Sequence, residues 1–207
     1  TAITISADDV IVDGFTLDGG TTLDDRANYI SGGTISNNII TGANSPEELI
    51  KAQNGIRVGF DTGKGVDGVA IEDNTISNSL EKGIRFANPK LGGGTASNIT
   101  ISGNEIKDNG SAGIETYGPG HNTIINNSIS GNSGNGINLK FDDGDVVTSN
   151  TITNNSGPGI TLRRVTNTTV ENNSVSGHKS QEVIKTYPTV PQGKGSGIHI
   201  FDTSENN

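Results

Sequence analysis

The chain has 207 residues, of which 29% are hydrophobic and 4% aromatic, too few for a thick layered core, and its 30 glycines suit short strands joined by frequent turns. A formal charge of -9 at pH 7 excludes the concentrated basic surface that nucleic acid requires, and no apolar run reaches the roughly 20 residues that span a bilayer. With no cysteine, neither a disulfide nor a thiolate metal site can form.

In chain order, Thr1-Ala2-Ile3-Thr4-Ile5 opens directly in a strand-like stretch with no signal peptide, so a mature secreted product or an excised part of a longer chain is expected. Residues 43–54, ANSPEELIKAQN, then interrupt the pattern and hold a Pro-led helical turn as a candidate element. From there an Asn-x-Ile element recurs at Asn74, Asn104, Asn127, Asn150 and Asn173, and the last four are 23 residues apart. A second column keeps the same step at Ile101, Ile124, Val147 and Val170. A third is Gly-Ile at Gly113, Gly136 and Gly159, preceded at looser spacing by Gly55 and Gly83 and followed by Gly197.

Three aliphatic columns in one period predict three short strands per repeat, each too small to bury its face alone. Gly, Asn and β-branched residues with no 3.6-residue period disfavour a helical solenoid. The expectation is one all-β domain over residues 1–207, a parallel β-helix of about eight coils of roughly 23 residues with insertions near 43–54 and 177–196. At about 4.8 Å per coil such a rod is about 40 Å long. The Asn residues suit its tight bends and can stack as ladders inside it. After the second insertion, either Val183-Ile184 or Gly197-Ile198 continues the Gly-Ile column.

Side chains alternate along a strand, so inward Ile137 and Leu139 imply outward Asn138 and Lys140. The first outward column is then Arg57, Arg85, Glu115, Asn138, Thr161 and His199; the second contains Tyr117, Lys140, Arg163 and Phe201. One face of an acidic protein thereby collects Arg57, Arg85, Lys140, Arg163 and Arg164 around Tyr117, which suits a linear polyanion such as a polyuronate. Lys140 and Arg163 fall side by side. Their repulsion is expected to lower the Lys140 pKa from about 10.4 and supply a neutral amine as a base toward the proton α to a uronate carboxylate. The competing expectation is two solvated surface cations.

Asp142-Asp143-Gly144-Asp145 and Asp8-Asp9 could help bind calcium, though solvated turns are the main expectation. His121, His178 and His199 match no local zinc spacing, and no cofactor motif is evident beyond that opening for calcium.

The run NTITNNSGPGITL followed by NTTVENNSVSG resembles the right-handed parallel β-helix repeats of periplasmic and surface proteins, which implies the fold. GPGITLRRVTNTTVENNSVSG, with Lys140 one coil earlier, resembles the alginate lyase and chondroitinase B family of polysaccharide lyases. That resemblance implies Lys140 as base and Arg163 as proton donor beside a carboxylate-neutralising calcium ion. Where the family has acidic calcium ligands shortly before the Lys, this chain has Ser133, Asn135 and Asn138. The coils also resemble the catalytic modules of mannuronan C5-epimerases. Their Asp-Pro-His-Glu motif would fall where this chain reads Gly113-Ile114-Glu115-Thr116-Tyr117-Gly118-Pro119-Gly120-His121, which points to Glu115, Tyr117 and His121 as an alternative acid/base set.

The expected function is therefore a secreted or cell-surface protein that binds an acidic polysaccharide, with lyase or epimerase chemistry at Lys140, Arg163, Tyr117, Glu115 and His121. Arg57, Arg85, Asn138, Arg164 and His199 would hold the substrate. The alternative is a non-catalytic structural or adhesive β-helix, because DTSENN followed head to tail by TAITISADDVIVDG would continue the repeat and allow end-to-end self-association.

Overall fold

A computed structural model of the chain describes residues 2–23, 30–42, 53–89, 94–118, 120–179 and 197–201, the last three of these in backbone only. Short strands wind into a parallel β-helix whose coils pair strand over strand. One sheet contains eight strands, from Ile3–Ile5 through Ile56–Val58, Ile84–Phe86, Ile114–Tyr117, Ile137–Lys140 and Ile160–Arg163 to Ile198–Phe201. Two further sheets of seven strands complete the triangular coil, and a three-stranded sheet at Ile30–Ser31, Val66–Asp67 and Ala96–Ser97 adds a side to the early coils that the sequence columns did not announce.

The expected columns are real neighbours. Ile101 pairs with Ile124, Ile124 with Val147, and Val147 with Val170. Ile56, Ile84, Ile114, Ile137, Ile160 and Ile198 stack in register along the eight-stranded sheet. Gly197-Ile198 therefore continues the Gly-Ile column, and Phe201 follows Arg163. Val183, Ile184 and Tyr187, like the helical turn expected within 43–54, lie outside the described residues.

Each side of a coil buries one or two apolar side chains, mostly aliphatic, and together these form a continuous core from Ile5 to Val165. Burying each Ile is worth about 1.5–3 kcal/mol. The glycine of the Gly-Ile column is needed for close approach: a Cβ on Gly83 would lie 2.5 Å from Ile106 Cγ2 and 2.7 Å from the Gly113 carbonyl oxygen.

The corners explain the asparagine content. Between the two seven-stranded sheets, Asn37, Asp73, Gly103, Asn126, Ser149 and Asn172 all take left-handed φ, which short polar residues and glycine tolerate. The next residue in each coil, from Asn38 through Asn74, Asn104, Asn127 and Asn150 to Asn173, forms a ladder. Each amide oxygen accepts the backbone N–H and the side-chain amide of the coil before, at 2.9–3.0 Å. A second ladder runs through Asn109, Asn132 and Asn155. Buried polar backbone is thus satisfied without a wide apolar layer. No helix among the described residues is long and apolar enough to cross a membrane.

Candidate functional site

The centre of the eight-stranded sheet is set by register. Tyr117 pairs with Lys140, and Lys140 with Arg163, while Glu115, Asn138 and Thr161 form the neighbouring row. Inward Ile114, Ile137, Leu139, Ile160 and Leu162 are buried, so the two rows point away from the core as alternation requires.

Pointing outward is not the same as being exposed, and here the structure corrects the sequence reading. Arg57, Glu115, Asn138 and Thr161 are buried. Stacking at coil spacing covers each side chain with its neighbours above and below, and the charged ones meet opposite charges, Arg57 at Asp61 and Glu115 at Lys140. Glu115, only 6% exposed, is the hub. Its Oε2 accepts Lys140 Nζ at 2.7 Å and the Asn138 amide at 3.0 Å, and Lys82 Nζ stands 3.8 Å from Oε1. Lys140 Nζ also donates to the Tyr117 hydroxyl at 3.0 Å and lies 4.9 Å from the ring centre.

This geometry overturns the expected depression of the Lys140 pKa. Burial pushes the ammonium down, but the Glu115 hydrogen bond and charge, with Tyr117 adding, push it further up, and the net shift is upward. Lys140 is held as a cation rather than poised as a neutral base. The expected repulsion from Arg163 is outweighed by a carboxylate one coil away.

Toward the early coils, Arg57 and Arg85 stack in register. Asp61 lies 3.2 Å from Arg85 Nη2 and 3.8 Å from Arg57 Nη2, and accepts the Asn88 N–H at 2.8 Å. Burial pushes the Asp61 carboxyl up, but the Asn88 N–H and both guanidiniums hold it below the usual carboxylate range. Arg57 also covers the Phe60 ring at 4.3 Å. Toward the later coils, Arg163 and Arg164 flank Phe141 at 5.8 and 5.6 Å. Cations and aromatic rings therefore alternate along the sheet: Arg57 with Phe60, Lys140 with Tyr117, and Arg163 and Arg164 with Phe141.

His121 stands apart from this row. It occupies an exposed left-handed corner, with its N–H donated to the Asp143 carbonyl and its ring against Gly144 of the next coil. His199 lies on the strand that follows Arg163, and its side chain is outside the described residues.

The acidic turn is a second correction. Asp142 is 1% exposed and Asp145 fully buried, rather than solvated. A sequence signal existed: Thr116 occupies an inward position where other coils carry Val58, Phe86, Leu139 and Leu162, and a buried hydroxyl needs a partner. That partner is Asp142 Oδ2, at 2.7 Å.

At two of the positions that the lyase resemblance assigns to calcium, the side-chain amides donate to neighbouring coils. The Asn138 amide is given to Glu115, and the Asn135 amide to the Thr161 hydroxyl at 3.0 Å. Among the described residues, no group of three or more His, Cys, Asp or Glu is placed to hold a metal ion.

The family described as "Right handed beta helix region" matches residues 27–207. Among solved structures, the Dettilon tailspike protein (gp208) is similar with a TM-score of 0.50 and 14% identity, over 83% of this chain and 46% of the tailspike. The A-module of the Azotobacter vinelandii mannuronan C-5 epimerase AlgE4 gives 0.45 and 12%, over 96% of this chain and 63% of the module. This chain thus spans less than two thirds of either protein, and at these identities the likeness concerns the fold. No curated protein matches the sequence.

Proposed function

The chain belongs to the right-handed β-helix family, and on that scaffold we propose that it binds an acidic polysaccharide along the eight-stranded sheet and acts on a uronate residue at Tyr117, Lys140 and Arg163. One observation carries the reading. Three successive coils place a phenol, an ammonium and a guanidinium in register, flanked by the Tyr117 and Phe141 rings.

Each group has a role that its geometry allows. Lys140, kept charged by Glu115, and Arg163 neutralise a uronate carboxylate, which stabilises the charge that develops when the adjacent C–H loses its proton. The Tyr117 oxygen, beside the Lys140 ammonium, takes that proton as a phenolate and is left as the phenol. Delivery of a solvent proton to the opposite face gives an epimer, and expulsion of the neighbouring glycosidic oxygen, protonated by the Tyr117 phenol, gives an unsaturated product. The aromatic rings stack on sugar faces, while Arg85 and Arg164 extend the anion track.

The test is incubation with alginate, polygalacturonate and chondroitin sulfate, with and without calcium, following unsaturated-uronate absorbance and deuterium uptake at C5. Signal on any of them supports catalysis. Binding without signal leaves a carbohydrate-binding rod, and neither binding nor signal removes the reading.

A second reading has its own observation. Ile11, Phe15 and Ile39 are 70%, 53% and 47% exposed on the first coils. Exposed apolar side chains of this size favour association, so a structural or adhesive β-helix that stacks end to end is the alternative. Sedimentation velocity decides it: a concentration-independent monomer rejects stacking.

A further inference from the structure

Asp142 and Asp145 lie directly behind the proposed site, on the turn that leaves Lys140. That turn is strained. Phe141 has φ +59° and its neighbour in the next coil, Arg164, has φ +53°, a region bulky side chains rarely enter. One coil earlier the same corner is Gly118, at φ +87°. Most other non-glycine residues with positive φ are Asn, Asp or Ser, so the two exceptions on this side sit beside Lys140 and Arg163.

Asp142 fastens the strained turn. Its Oδ2 accepts the Lys140 N–H and the Thr116 hydroxyl, both at 2.7 Å, and so ties both sides of the site to the interior. Its Oδ1 is buried with no partner among the described residues. Asp145 occupies a ladder position: its Oδ1 accepts the Asn122 N–H at 2.7 Å, as Asn122 Oδ1 accepts the Ile99 N–H one coil earlier. In the asparagine ladders the second atom is an amide nitrogen, which donates. Here it is Oδ2, buried and without a partner among the described residues, and an uncompensated charge in that place is costly, which favours the neutral carboxyl.

We propose that Asp142 and Asp145 act together as a protonated carboxyl clamp, which holds the Phe141 turn in its ligand-binding shape and loosens when the pair ionises. The clamp makes both residues positioning residues for the proposed polysaccharide site, and to that extent it rests on that reading. The groups that can bias it are Tyr117 and His121 from the coil before, Lys140 and Asp143 on the turn, and Arg163 and Arg164 from the coil after. Titration agrees with the geometry. Burial, and then the charge of Asp145, push Asp142 well above the usual carboxylate range. Burial pushes Asp145 up to about 6 against the pull of the Asn122 hydrogen bonds and the His121 charge, with Asp143 adding to the rise.

The experiment follows the carboxyl carbons of 13C-aspartate-labelled protein from pH 4 to pH 8, alongside thermal melts and calorimetric binding of polygalacturonate oligomers. The clamp requires an aspartate carbon that titrates near pH 6 and a wild-type melting midpoint that falls by several degrees between pH 5 and pH 7.5. Asp145→Asn, which restores the amide donor, should remove that fall. Wild type should bind oligomers more weakly at pH 7.5 than at pH 5, Asp142→Asn should lose that pH dependence, and Asp142→Ala should bind about tenfold more weakly than wild type at pH 5. The proposal is overturned if every aspartate ionises below pH 4.5, or if Asp145→Asn keeps the wild-type pH profile. Should the variants fail to fold, the wild-type carbon titration alone decides. Absence of oligomer binding by wild type at any pH would instead count against the polysaccharide reading, with the titration still deciding the clamp.

Discussion

Lys140 Nζ sits 2.7 Å from Glu115 Oε2 in the preceding coil, and this one contact turns what repetition alone presents as a free surface cation into a fixed one. Both side chains are largely covered, at 19% and 8% exposure. A pair so shielded is worth more than a surface ion pair, and breaking one side leaves the other charge stranded. In a double-mutant cycle, Lys140→Met and Glu115→Gln should each destabilise the protein by about 1–3 kcal/mol in urea unfolding, with the double variant costing less than the sum by about 1 kcal/mol or more. Additive losses would mean that the contact carries no coupling.

Tyr117 and Lys140 should separate chemistry from binding. Tyr117→Phe keeps the ring and loses only the hydroxyl, so polyuronate affinity should stay within about twofold while turnover falls by about 100-fold or more. Single-turnover kinetics beside equilibrium binding check this, and equal losses in both would assign Tyr117 to binding alone.

The asparagine ladder makes a sharper stability prediction. Asn127 accepts the backbone and amide N–H of Asn104 and donates to the Ile101 and Ile125 carbonyls and to Asn150. Asn127→Ala strands several buried groups at once and should cost about 2–4 kcal/mol by chemical denaturation. A loss below about 0.5 kcal/mol would show that water replaces the ladder.

The pH dependence has a definite sign. Burial pushes the Asp145 carboxyl up to about 6 in the fold, against 3.8 for an ordinary aspartate, so the folded chain binds more protons than the unfolded chain between those values. The stabilisation is complete below pH 4 and is lost as pH rises through 6. Its ceiling from Asp145 alone is about 3 kcal/mol, at 1.36 kcal/mol per pH unit of separation. Urea midpoints measured from pH 4 to pH 8 should therefore decline across that window, and a midpoint that rises with pH there would contradict the buried pair.

Much of the fold was legible because its physics is periodic. Ile101, Ile124 and Val147 recur every 23 residues because each fills the same core position, and Asn104, Asn127 and Asn150 recur because each caps the same corner. Parity along the strands also placed Tyr117, Lys140 and Arg163 in one row. What parity does not carry is side-chain pairing across coils. It gives the direction of Glu115 and Lys140 but not that they meet, and so the sign of the Lys140 shift came out reversed. The burial of Asp142 and Asp145 was hidden for a related reason: an Asp-Asp-Gly-Asp turn looks solvated until the inward Thr116 is recognised as the partner of Asp142. The extra sheet through Val66 and Ala96 has strands too short to leave a pattern.

The central claim is that the row of Tyr117, Lys140 and Arg163 receives an acidic polysaccharide, and calorimetric titration of defined polygalacturonate and alginate oligomers at low and moderate salt tests it most directly. Wild type should bind at least one series, more weakly as salt rises, and Lys140→Met and Arg163→Met should each lower affinity by about tenfold with unchanged circular dichroism. Oligomer binding that both substitutions leave untouched, or no binding of either series at low salt, would contradict it.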